Sequence, residues 1–163
     1  MIFIRRCTLM PRKVFIFFIM IAITTNVTGI NFSYANASRG HQVEKSTVTI
    51  FSSYGHYKFQ VEVARTISQQ RRGLMYRRSM ARDSGMLFVY SVPQILKMWM
   101  KNTFLPLDIL FIDINGLIIS VKERAMPGSV QTISSGEPAI AVLELNGGTV
   151  SRLKILPGDR VKY

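Results

Sequence analysis

The stretch Met98–Gly116, MWMKNTFLPLDILFIDING, constrains the fold more than any other. Two apolar runs flank a polar knot, Lys101-Asn102-Thr103, and Pro106 restarts the chain after it. Leu107 to Ile114 then reads as a strand, and Asn115-Gly116 is a strong short signal for a type I′ hairpin turn. A two-residue loop sets cross-strand partners whose numbers sum to 231. Ile114 then faces Leu117, Ile112 faces Ile119 and Leu110 faces Val121, so that face is expected to be core. The other face is mixed, with Ile109 opposite Lys122, Phe111 opposite Ser120 and Asp113 opposite Ile118. The same register sets Asp108 across from Glu123. Two facing carboxylates destabilise a sheet unless a cation or a proton separates them.

Elsewhere the periods are equally local. Ser46 to Ser53 is rich in β-branched residues, Tyr54-Gly55 turns the chain, and Tyr57, Phe59, Val61 and Val63 alternate with polar residues. This pattern predicts a hairpin. Thr66-Ile67-Ser68-Gln69 has the form of a capping box and predicts a helix start, with Ile67, Leu74 and Met75 on one face. Gly73 inside that segment implies close backbone packing. Five arginines, Arg71, Arg72, Arg77, Arg78 and Arg82, crowd it; they form a solvated face, or one turns inward to meet an acid. Met86 to Tyr90 reads as a strand ended by Pro93, and Ile95 to Met100 as another, with core methionines on one face and Trp99 on the other. Val130 to Glu137 is ambiguous. Ala139 to Leu145 is a buried strand carrying one charge, Glu144. Thr149 to Leu156 suits a short helix or irregular turn, and Val161 to Tyr163 a closing strand.

The amino terminus predicts export. Arg5, Arg6, Arg12 and Lys13 precede an apolar run, Val14 to Ile23, and Ala35-Asn36-Ala37 offers a peptidase site. The run is about half the ~20 residues a spanning helix needs. The expected organisation is a cleaved signal over 1–37, a flexible leader over 38–45 and one globular domain over 46–163, periplasmic or secreted, with no transmembrane segment after cleavage. Removing the first 37 of 163 residues leaves 126, a length that suits one core. Cys7, the only cysteine, leaves with the signal, so no disulfide, thiol nucleophile or thiolate ligand remains. Taking the four basic residues of the signal from 21 leaves 17, against 9 acids, a net charge of +8. Such a balance favours anionic envelope components or an acidic small molecule, or serves solubility; nucleic acid is not expected outside the cytoplasm.

No catalytic motif of a known class is present. His41 and His56 lie in no paired-histidine spacing, and the chain has no G-x-S-x-G, P-loop or G-x-G-x-x-G. Ser151-Arg152-Leu153-Lys154 matches S-x-x-K without its partner motifs. No metal and no cofactor is expected. The remaining candidates are polar residues inside apolar runs: Lys101, Asn102, Thr103, Asp108 and Glu144. Asp108 either accepts bonds from the K-N-T loop backbone, locking its turn, or lines a small polar pocket.

RRGLMYRRSM, SGMLFVY, MWMKNTFLPLDILFIDINGLI, VLELNGG and LPGDRV, in that order, resemble the domain of unknown function 192 family over about Val61 to Tyr163. The resemblance implies a mainly β domain with one short helix (α+β), a compact barrel- or sandwich-like antiparallel sheet, often exported. It implies no activity. Its polar motif positions fall on Arg77, Asn102, Thr103, Asp108 and Glu144. With Trp99 and Lys101 of the W-M-K-N-T motif, these form the candidate ligand-binding set. Members usually carry Glu-Arg where this chain has Gln69-Gln70; if that arginine pairs with a core acid, Arg71 or Arg72 is expected to replace it. The function these residues suggest is non-enzymatic binding of a small ligand or envelope partner through a pocket near Asp108. Two further readings stay open: a periplasmic enzyme with carboxylate acid–base chemistry, pairing Asp108 with Glu123 or Glu144, and a module recognising anionic surfaces through its arginines.

Overall fold

Alternating β-branched and aromatic residues bury one face of a strand, and two such runs joined by a tight turn zip together. In the computed structural model, which describes residues 43–163, this gives β1 (Glu44–Ser52) and β2 (Gly55–Ala64), antiparallel from Glu44–Val63 to Ser52–Gly55. β1 therefore starts inside the stretch read as leader. The expected signal, 1–37, lies outside the described residues, as does the leader up to residue 42.

Thr66 begins α1 (Ile67–Arg72) with the full capping box: its hydroxyl accepts from the Gln69 amide, and the Gln69 side chain accepts from the Thr66 amide at 3.0 Å. The helix is shorter than its apolar pattern suggests. Gly73 at φ 47° is its C-cap rather than an interior residue, and Ile67 is 69% exposed instead of sharing a face with Leu74. The expected close packing is real, since a Cβ on Gly73 would sit 3.2 Å from the Phe88 ring.

β3 (Ser84–Met98), β4 (Leu107–Ile112), β5 (Ile118–Ala125), β6 (Ile133–Asn146), α2 (Thr149–Leu153) and β7 (Arg160–Lys162) follow. They build one seven-stranded sheet in the order β5-β4-β6-β3-β2-β1-β7. β2 and β3 are parallel, against the all-antiparallel expectation, because α1 and the segment after it form a crossover instead of a hairpin loop. Pro93 does not end β3. The ladder to β6 slips between Val89 and Gln94, and that irregularity accommodates a residue with no amide to donate.

The sheet curls until its edges meet. Ile118 donates to the Asp159 carbonyl at 2.9 Å, Gly158 to Ile118 at 2.8 Å and Val161 to Gly116 at 2.7 Å. The result is a mainly β, α+β half-barrel. Its inner core draws on all seven strands, through Val48, Val61, Leu87, Leu110, Ile118, Leu143 and Val161 among others. A second core lies on the opposite face of β3, β4 and β6, where Leu74 and Met100 cover Phe88, Ile109, Phe111 and Val142. β4 serves both, which is why all six of its residues are buried.

The β4–β5 loop departs from the expected two-residue turn. Gly116 (φ 78°) donates to the Asp113 carbonyl and Asp113 to the Leu117 carbonyl, giving a three-residue loop closed by a glycine bulge. The Asp113 carboxylate fixes it by accepting from Asn115 at 2.9 Å and Leu117 at 2.7 Å. Ile114 is consequently exposed, and Ile112 pairs with Ile118 rather than Ile119. The expected register holds for Ile109–Lys122, Leu110–Val121 and Phe111–Ser120. It slips again near Arg124 (φ 45°), so Asp108 has no direct partner in Glu123, which is exposed and accepts from the Ser151 hydroxyl.

Candidate functional site

The two acids that sequence placed in apolar surroundings lie on adjacent strands but opposite faces. Asp108 is paired with Leu145, whose side chain belongs to the inner core; Glu144 is paired with Ile109, which belongs to the second core. They cannot act as one pair.

Asp108 is completely buried, and three backbone amides saturate its carboxylate. Oδ1 accepts from Arg124 at 2.8 Å and Gly148 at 2.9 Å, and Oδ2 from Val150 at 2.8 Å. It clamps β5 and the start of α2 onto β4. Its partners are these amides, not the K-N-T loop that sequence suggested.

Glu144 is different. It is 4% exposed, and no hydrogen bond from another described residue engages its carboxyl, although among the described residues no side-chain oxygen is sealed from solvent without a partner. Burial pushes its pKa from 4.5 up to about 8, so at neutral pH it carries a proton and can both donate and accept. It borders a cavity of about 290 Å³ under α1. Phe88, Tyr90 and Met98 of β3 line it, with Trp99 and Thr103 of the segment that follows. Arg71 and Arg72 of α1 and Lys97 of β3, all exposed, stand at its rim. Burial first, and the charge Glu144 acquires at higher pH second, raise the Tyr90 pKa. Gln70 fixes the helical wall by donating to the Val89 carbonyl at 2.9 Å. The Gln69-Gln70 departure thus serves structure: one glutamine caps α1 and the other ties it to β3.

Of the seven candidate residues, the cavity gathers Trp99, Thr103 and Glu144. Trp99 is 51% exposed, with Lys101 Nζ 5.6 Å above its ring. Thr103 is buried, donating through its amide to Met100 at 3.0 Å. Asn102 adopts φ 58° and ties its loop to Tyr76: its side chain donates to the Tyr76 hydroxyl at 2.9 Å, and its carbonyl accepts from the Tyr76 amide at 2.9 Å. Arg77 is the arginine that meets an acid. It grips Glu62 of β2 through two bonds of 2.6 and 2.7 Å, which lowers the Glu62 pKa. Arg71 and Arg72 form no ion pair with a described residue. Sequence reasoning missed Gln70, Tyr90 and Lys97. The signal for Tyr90 was its spacing: it falls two residues after Phe88 and four after Met86, which pairs with Glu144.

A curled mixed sheet, two cores and an acid-bordered cavity beneath a short helix define the class of molecule. The chain belongs to the domain of unknown function 192 family (uncharacterized ACR), which matches residues 49–163. It is similar to a crystal structure from Sinorhizobium meliloti 1021 described as a candidate transcription regulator, with 48% identity and a TM-score of 0.72, covering 74% of this chain and 95% of that one. It is also similar to a protein of unknown function from Novosphingobium aromaticivorans DSM 12444, with 34% identity and a TM-score of 0.74, covering 77% and 89%. No curated protein matches.

Proposed function

We propose that this chain is an exported protein that binds a small organic ligand in the cavity beside Glu144, without transforming it. The observation that carries the reading is Glu144 itself. Its carboxyl borders the cavity, burial raises its pKa to about 8, and no hydrogen bond from another described residue engages it. A ligand hydroxyl or amide would satisfy it. The site lies on the face of β6 away from Asp108, so Asp108 supports the fold around it. The basic amino terminus, the apolar run Val14 to Ile23 and the A-x-A sequence support export.

An acid–base enzyme is the second reading. A carboxyl whose pKa is near neutrality is suited to proton transfer. The two-carboxylate version has no support, since Asp108 faces the inner core and Glu123 the solvent.

The test is a fragment screen by NMR on the purified protein, read at the Trp99 indole and at the ring of Tyr90. Binding compounds should shift both signals, and Glu144→Gln should weaken them by tenfold or more. A library of several hundred polar fragments that leaves both signals unmoved, or moves only distant ones, overturns the binding reading. Chemical change in a bound fragment would favour the enzyme.

A further inference from the structure

The cavity sorts its polar groups by charge. Its less exposed polar residues are the buried Glu144 and Thr103 and the half-buried Tyr90 and Gln70, which carry carboxyl, hydroxyl and amide groups, with the Thr103 hydroxyl also donating to the Lys101 carbonyl at 3.5 Å; Arg71, Arg72 and Lys97 are exposed cations. We propose that the cavity holds an anionic monosaccharide, with ring hydroxyls on Glu144, Tyr90 and Thr103 and a single carboxylate or phosphate on Arg71, Arg72 and Lys97. This rests on the binding reading above and names its ligand class.

Size, polarity and charge each narrow the choice. About 290 Å³ lies at the small end of ligand cavities, which run from roughly 300 to 1,000 Å³, and so suits one sugar ring rather than a larger cofactor. No hydrogen bond from another described residue engages the Glu144 carboxyl or the Tyr90 hydroxyl where they border the cavity, and each can both donate and accept. A sugar hydroxyl has the same dual character. A fatty acid would leave both unpaired, at the cost of burying polar groups without partners. A carboxylate at that depth would find no cation, since the cavity's three cations all lie in exposed residues. The apolar C–H face of a sugar has Phe88, Met98 and the half-exposed Trp99 to rest on. The anionic group belongs at the rim, where no described acid neutralises Arg71 or Arg72. Exposed charges attract through water and are screened by salt, so they set preference more than total affinity.

The experiment titrates the purified protein with four probes, D-glucuronate, D-glucose 6-phosphate, D-glucose and glutarate, reading Trp99 and Tyr90 by NMR. Glucuronate or glucose 6-phosphate should bind at least tenfold more tightly than glucose, and the two separate a carboxylate from a phosphate preference. Glutarate should not bind measurably. Raising NaCl to molar levels should erase most of the preference for the charged sugar. Arg71→Gln combined with Arg72→Gln, both exposed positions whose replacement leaves the cores intact, should erase it in low salt as well. Glu144→Gln should weaken every sugar. Glucose binding as well as glucuronate, or glutarate binding as well as either charged sugar, overturns the proposal. If the four probes fail while other fragments enter the cavity, the sugar assignment falls and the binding reading stands. If nothing enters the cavity, both fall.

Discussion

Two buried carboxyl groups one strand apart show how local surroundings decide the role of a residue. Asp108 accepts from three backbone amides, so its negative charge is compensated where it sits. Asp108→Asn keeps the shape but puts an NH2 where an acceptor was, leaving at least one buried amide facing a donor. The expected cost is about 2–4 kcal/mol, read as a lower denaturant midpoint together with faster hydrogen exchange at Gly148 and Val150. A change within ~0.5 kcal/mol would show that the clamp is dispensable. Glu144 has the reverse signature. Its folded pKa is raised to about 8 from 4.5, so the native state keeps a proton that the unfolded chain releases. Stability must therefore fall as pH rises through that window, by up to ~1.4 kcal/mol per pH unit, and level off above it. Glu144→Gln removes the slope. The wild-type midpoint should drop between pH 5 and pH 8 more steeply than that of the variant; parallel curves would mean that Glu144 is ionised in the native protein at neutral pH.

Among the elements, what the sequence revealed was what neighbouring residues decide. The β1–β2 hairpin followed from strict alternation, the start of α1 from a four-residue capping box, and β4 from an apolar run after Pro106. Glu144 and Asp108 stood out because each interrupts such a run. The rest depended on distant partners. Asn115-Gly116 is compatible with a two-residue turn and with a three-residue loop, since both place glycine at positive φ; the Asp113 side chain, by accepting from Asn115 and Leu117, selects the longer loop. That one extra residue exposes Ile114 and swaps the faces of Ile118 and Ile119. The continuation of β3 through Pro93 depends on β6 alongside it to absorb the slip. The opposed faces of Asp108 and Glu144 were hidden for the same reason: β4 and β6 are far apart in sequence, and only their pairing assigns each side chain to a core. The Arg77–Glu62 pair spans a crossover that no local pattern announces.

On the scale of the whole molecule, the two cores separate closing the sheet from forming the cavity. The edges meet where Gly116–Ile118 lies against Gly158–Val161, next to the Ile118 and Val161 side chains of the inner core. β7 is only three residues long and has β1 as its other neighbour, so this seam is its second attachment. Gly116 is the critical position. Its φ of 78° costs a residue with a Cβ about 1–2 kcal/mol, and that Cβ would lie 2.8 Å from the Val161 carbonyl oxygen. Gly116→Ala should therefore open the seam. The expected result is a stability loss of about 2 kcal/mol or more, with faster hydrogen exchange at Ile118, Gly158 and Val161. The cavity should be spared, because its lining comes from α1, β3, β6 and the segments at Gly73–Met75 and Trp99–Thr103, with nothing from β5 or β7. Trp99 and Tyr90 should keep their NMR signals, and any ligand its affinity, in protein that remains folded. Shifts at Trp99 as large as those at Val161 would show that the cores are mechanically coupled through β4 and β6, and that the half-barrel and its cavity form one cooperative unit.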